Sequence, residues 1–247
     1  MTRLVPTPRI ASRLPREQRV ADIMAAARRV FAEKGYEDAS VAEIAARAGV
    51  VEGSVFRYFE NKRVLLVKVV EDWYESMFVD FDEHLAMIEG TWKRLRFLVW
   101  KHLSNVQKEP ALSRLVFEVL RPGPDYRKTS VFDLNRRYTR RTLDILRDGI
   151  ATGTIRADAN LTLTRDMIYG GVEHHTWAFL RGEGTFSVDA AADGIMDLVR
   201  GGLTVSADPP ADPLTSLERT ARRLELVASR LEKDGSDVPK SPRRKSR

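Results

Sequence analysis

The 247-residue chain contains no cysteine, which removes disulfide bonds, thiolate metal sites and a cysteine nucleophile from consideration. No apolar run approaches the ~18 residues that cross a bilayer. The opening stretch MTRLVPTPRIASRLPREQRV has no apolar signal core. The expected location is therefore the cytoplasm, with no membrane partner. Convincing strand alternation bounded by hairpin turns is also missing, so an all-α fold is expected. G-x-S-x-G, P-loop and dinucleotide fingerprints do not occur. Of the four histidines, His174 and His175 are adjacent and diverge by about 100° on a helix. His84 and His102 lie on other segments. No metal, cofactor or enzymatic site is expected, because a catalytic function needs a visible constellation and none is present.

What is present is charge, unevenly placed. Lys and Arg total 41 against 35 Asp and Glu, a net charge of +6. Residues 1–70 hold 13 basic and 8 acidic side chains, residues 233–247 hold six and two, and the long middle is slightly negative. A basic N-terminal end fits an anionic partner such as nucleic acid.

Hydrophobic periodicity divides the chain. Residues 1–15, rich in Pro and Arg, read as a disordered basic arm. From 16 to 34, Val20, Ile23, Met24, Ala27, Val30 and Phe31 recur at helical spacing, and Gly35 ends the helix. Ser40 and Glu43 form a capping box at the start of a second helix, which Gly49 terminates. A third helix is expected over 52–59, and Asn61 can cap a fourth. Further helices are expected at about 92–108, 110–120, 126–151, 160–181 and 187–203. After the break SADPPADP, Leu214, Leu217, Ala221, Leu224, Ala228 and Leu231 make a short heptad seam on a C-terminal helix, 213–233. Residues 234–247 read as a disordered basic tail.

Three short helices with a tight Gly49-centred turn make a helix-turn-helix. The run AAARRVFAEKGYEDASVAEIAARAGVVEGSVFRYFENKRVLL resembles the N-terminal domain of the TetR family of bacterial transcriptional regulators. The matching positions are Ala26, Ala27, Val30, Phe31 and Gly35; Ser40, Val41, Ile44 and Ala45; Ala48, Gly49, Val50 and Gly53; and Phe56, Tyr58, Phe59 and Lys62. The resemblance implies a DNA-binding domain over 16–70, followed by a helical regulatory and dimerisation domain over 71–205.

On the third helix, Val55 and Phe59 share one narrow sector that should fill the core, while Gly53, Ser54, Arg57 and Tyr58 point away from it. Ser54, Tyr58 and Lys62 are expected at phosphates and Gly53 at a close backbone approach. Arg57 suits a guanine, Phe56 a thymine methyl and Glu52 a cytosine amino group. Ser40 would present its hydroxyl or amide to a phosphate. Val51 stands where relatives place a serine cap, a loss of ~1 kcal/mol that a Val50–Val55 hydrophobic staple offsets in part.

The aromatics of 70–140 can fill a core or enclose a ligand; Trp100, Phe117, Phe132 and Tyr138 are the pocket candidates. Gly170, Gly171 and Trp177, with Ile195, Leu198 and Val199, resemble the family's dimerisation helices. The resulting expectation is a homodimeric repressor that binds a palindromic double-stranded DNA operator and is released by a small apolar effector, for which a hydrophobic acid or acyl thioester fits the aromatic content. The rival is an architectural or protein-partner-controlled DNA-binding factor without a small-molecule ligand. A pocket of several hundred cubic ångströms separates the two.

Overall fold

The computed structural model describes residues 15–79, 81–204, 221–222 and 224–225. The basic arm apart from Pro15, the basic tail and, apart from those four residues, the C-terminal helix that carries the heptad seam lie outside the described residues. Ten α-helices and no strands occur among the described residues, so the fold is all-α.

Helix α1 (Arg16–Lys34) buries Ile23, Ala26, Ala27, Val30 and Phe31 along one stripe. Helix α2 (Val41–Arg47) starts where the Ser40 hydroxyl accepts the Glu43 amide at 3.1 Å. The capping box is only half made. The Glu43 carboxylate turns away from the Ser40 amide and takes Lys34 at 2.7 Å and Arg47 at 2.8 Å, binding α2 to the end of α1. The Lys34 hydrogen bond, then that from Arg47, holds the Glu43 carboxyl below its usual range. At the turn, Gly49 has φ +66°, a left-handed conformation that side chains resist. Helix α3 is shorter than expected, Glu52–Phe56, and lacks a side-chain cap at Val51. With a single turn of five residues and no cap, the backbone tightens after Phe56; the amides of Tyr58 and Phe59 both reach the Val55 carbonyl.

Helix α4 (Lys62–Phe78) is capped by Asn61, whose side chain accepts the Val64 amide at 2.9 Å. It buries Leu65, Leu66, Val69, Val70, Trp73, Tyr74 and Phe78, and runs from the helix-turn-helix into the larger helical domain. Helix α5 (Phe81–Ala86) has no counterpart in the periodicity reading; Phe81 and Leu85 are too few apolar residues to register as a repeat. Helix α6 (Thr91–Lys108) is followed by α7 (Pro110–Arg114), which passes into a π-helical segment, Leu115–Leu120. Helix α8 (Ser130–Ala151) begins at Thr129 rather than 126, because the Thr129 hydroxyl caps it after a single 3-10 turn. Helices α9 (Leu161–Leu180) and α10 (Val188–Leu203) complete the body, with α10 laid along α6. The described residues up to Thr204 form one compact unit in which α1 meets α7 and α4 meets α8.

Candidate nucleic-acid interface and ligand cleft

The α3 segment buries the pair expected in the core, and of the four residues expected to point away Gly53 and Arg57 are exposed while Ser54 and Tyr58 are half-buried. Val55 and Phe59 are buried at 1% and 6% exposure, while Glu52, Gly53, Phe56 and Arg57 are exposed. Val51, the uncapped start, is 74% exposed, and Phe56 is 46% exposed, unusual for side chains this apolar. Neither Arg57 nor Glu52 pairs with an oppositely charged side chain among the described residues, so both heads are available. Ser54 is half-buried. A side chain added at Gly53 would meet nothing within 4 Å, so the protein itself does not need the missing Cβ there.

Two residues expected at phosphates have partners within the protein. Tyr58 is half-buried against the core, with the Arg16 guanidinium 5.8 Å from its ring. Lys62 departs further from expectation. Its ammonium donates to the carbonyls of Tyr36 at 2.7 Å, Ala39 at 3.0 Å and Glu37 at 3.2 Å, and sits 4.4 Å from the Tyr36 ring centroid. An ammonium has three N–H donors, and all three are occupied. Lys62 thus ties the first turn of α4 to the loop that leads into Ser40. Ser40 remains exposed, its oxygen accepting the cap bond while its proton stays free to donate.

In the larger domain, a cleft of about 320 Å³ opens between α4, α6, the π-helical segment, α8 and α9. Its inner wall carries Tyr74, His102, Val116, Phe117 and Tyr169, and its mouth carries Arg121, Asn135, Arg136, Arg165 and Glu173. Arg121 and Glu173 form an ion pair across it. Beside this wall a small cavity of about 20 Å³ is lined by Phe117, Tyr138 and Trp73 among others. Phe117 therefore lines both spaces and Tyr138 the smaller one. The other two pocket candidates lie elsewhere: Trp100 stacks on Phe97 at 6.4 Å, and Phe132 meets Tyr126 edge-on at 5.5 Å. Their helical registers, not their aromatic character, turn them away.

The cleft's polar groups were not singled out by the sequence because they come from five elements and share no motif. Burial, with Arg121 nearby, lowers the His102 pKa to about 4, so its ring is neutral at neutral pH. Its Nδ1 lies 3.3 Å from the Tyr138 hydroxyl, and the ring meets Tyr169 edge-on at 5.2 Å. Burial pushes the Tyr169 hydroxyl up to about 12 and Tyr138 well above the ordinary phenol value, leaving both protonated as donors. The Tyr169 hydroxyl in turn hydrogen-bonds the Thr142 hydroxyl at 3.0 Å.

The outer faces of α9 and α10 are open and apolar. Leu163, Met167 and Leu198 are 56%, 67% and 80% exposed. Gly170 and Gly171 lie on the same side of α9, with nothing within 4 Å of an added Cβ. Ile195 and Val199 are instead half-buried against their own core, and Trp177 leans on Phe117 at 6.1 Å.

Comparison with known proteins follows this division of the chain. Residues 23–69 match the family described as bacterial regulatory proteins, tetR family, and residues 89–203 match the tetracyclin repressor-like C-terminal domain. The fatty acid metabolism regulator protein of Bacillus subtilis is 24% identical over 181 residues, 73% of this chain and 93% of that protein. The transcriptional repressor KstR2 of Mycolicibacterium smegmatis is 22% identical over 189 residues, 75% of this chain and 90% of its own length. Among solved structures, the regulator FadR from B. subtilis in complex with stearoyl-CoA superposes with a TM-score of 0.67 at 24% identity, covering 74% of this chain and 98% of that one. The helix-turn-helix, the helical body and both profile matches agree: the chain belongs to the TetR family of bacterial transcriptional regulators.

Proposed function

We propose that the protein is a homodimeric repressor that reads a pseudo-palindromic operator through two copies of α3 and releases it when a long-chain acyl thioester enters the cleft. The observation that carries the ligand half is the cleft of about 320 Å³, which has an aromatic wall and a small cavity beside it. A middle domain packed solid would have favoured the partner-controlled rival. Relatives support the same reading: one is named a fatty acid metabolism regulator, another a repressor, and a solved neighbour holds stearoyl-CoA.

For DNA, the reading rests on Glu52 and Phe56 of α3 and on Arg57 at its C-terminal cap, all three exposed. Ser40, Gly53 and Ser54 are assigned to the phosphate backbone beside them. Tyr58 and Lys62 are assigned to shaping that surface. Dimerisation is assigned to the apolar faces of α9 and α10, with Gly170, Gly171 and Leu198 at the contact, extended by Leu163 and Met167. Trp177, Ile195 and Val199 stiffen those helices from within. Recognition helices roughly 34 Å apart would meet successive major grooves. The ligand displaces DNA only by favouring a conformer with a different spacing.

Selection of bound fragments from random duplex DNA, with wild type and Arg57→Ala, tests the assignment. An inverted repeat should emerge with wild type, and preference at one position per half-site should relax in the variant. An unchanged preferred sequence would remove Arg57 from base reading.

A further inference from the structure

A groove of about 440 Å³ runs along α8, lined by Arg136, Arg137, Arg140 and Arg147, with Arg165 of α9 across from them. Arg136, Arg165 and Thr139 also line the aromatic cleft, so groove and cleft are continuous. Three of the five guanidiniums have nearby carboxylates. Arg147 takes Asp144 at 2.6 Å, Arg165 takes Asp166 at 2.6 Å, and Arg137 takes Glu75 loosely at 3.5 Å. Arg136 and Arg140 take none among the described residues; Arg136 lies 5.7 Å from the Phe132 ring. Asp133 also lines the groove but pairs with neither.

Like charges four residues apart on a helix repel, so Arg136 and Arg140 gain nothing from each other. Both are exposed and face the same groove, the arrangement that planar guanidinium forks use for phosphate. We infer that this groove holds the phosphorylated nucleotide head of the ligand, with Arg136 and Arg140 as its principal contacts, while the acyl part enters the cleft beside Phe117. The inference rests on the acyl-thioester reading given above and deepens it. It assigns recognition of the head to α8 and recognition of the tail to the aromatic wall.

The test is direct binding of stearoyl-CoA, coenzyme A and stearate to the full chain, as wild type and as the double variant Arg136→Gln/Arg140→Gln. Both side chains are exposed, and an unchanged thermal midpoint and helical signal would establish that the variant folds. The double variant should bind stearoyl-CoA about 100-fold more weakly, roughly tenfold per charge-assisted contact, and bind stearate as wild type does. The salt dependence of stearoyl-CoA binding should flatten with it. Equal affinity of variant and wild type for stearoyl-CoA overturns the groove assignment while leaving the thioester reading intact. Wild type that binds coenzyme A but gains nothing from the acyl chain, with the variant losing that binding, supports the groove and removes the thioester. A wild type that binds stearate alone overturns the groove, as does a variant that loses affinity for duplex DNA and not for stearoyl-CoA.

Discussion

Arg63 grips Asp125 with both ends of its fork, Nη2 to Oδ1 at 2.6 Å and Nε to Oδ2 at 3.2 Å, while Nη1 donates to the Val119 carbonyl at 3.1 Å. Arg63 is in the first turn of α4, next to Lys62; Val119 is in the π-helical segment that also supplies Val116 and Phe117 to the cleft. The space is close, since a Cβ on Gly123 would come within 2.4 Å of Arg63 Nη2. One guanidinium therefore joins the cleft wall to the helix that carries the recognition unit.

Arg63→Ala should leave DNA affinity without ligand within about threefold of wild type while shrinking the ligand's effect on it, a coupling of the usual 5–150-fold range. Anisotropy titrations with and without stearoyl-CoA measure both. Gly123→Ala, which displaces the Arg63 fork, should weaken the coupling in the same direction. Full coupling in Arg63→Ala would place the relay elsewhere.

Lys62→Met should act on stability. Three backbone carbonyls lose their donor, a loss on the order of 2 kcal/mol, or roughly 4–8 °C in thermal midpoint for a chain of this size. The salt dependence of DNA binding should keep its slope, because the ammonium is already committed to the carbonyls of Tyr36, Glu37 and Ala39. A flatter slope with an unchanged midpoint would instead identify Lys62 as a phosphate ligand.

These two residues mark how far the sequence could be read. Periodicity located α1, α2, α4, α6, α9 and α10 closely, and at α2 and α4 the caps read from the sequence, Ser40 and Asn61, act through their own side chains, so local chemistry suffices there. The end of α3 and the switch from α7 to the π-helical segment depend on packing between distant segments. Lys62 looked like a surface cation because nothing in its neighbourhood along the chain announces the three carbonyls, 23 to 26 residues away, that hold it. The cleft failed to register for a related reason. Its walls are assembled from α4, α6, the π-helical segment, α8 and α9, so aromatic content alone pointed equally to Phe117, which lines it, and to Trp100 and Phe132, which do not.

Val51→Ser should stabilise the protein by ~1 kcal/mol, about 2–4 °C in thermal midpoint, by restoring the cap that α3 lacks. Val51 is 74% exposed, so its removal opens no cavity. A calorimetric scan of the two proteins decides the sign. A lower midpoint would mean that the exposed valine contributes packing that its exposure does not reveal.

His102 makes stability depend on acid. Its pKa falls from about 6.5 to about 4 on folding, so between these values the unfolded chain binds a proton that the folded chain does not. Its contribution is complete above about pH 6.5 and is lost as pH falls toward 4. His102→Gln keeps a polar side chain but removes the titration, and should flatten the pH dependence of the thermal midpoint across that window. An equally steep dependence in the variant would assign the acid sensitivity to other groups.

The most direct test of regulation by ligand is one anisotropy titration: full-length protein against a labelled duplex carrying the selected inverted repeat, with and without stearoyl-CoA. The predicted result is tight, salt-dependent binding of the repeat over a scrambled duplex, weakened at least tenfold by stearoyl-CoA. Equal affinity for repeat and scrambled DNA, or binding that stearoyl-CoA leaves unchanged, would contradict the account.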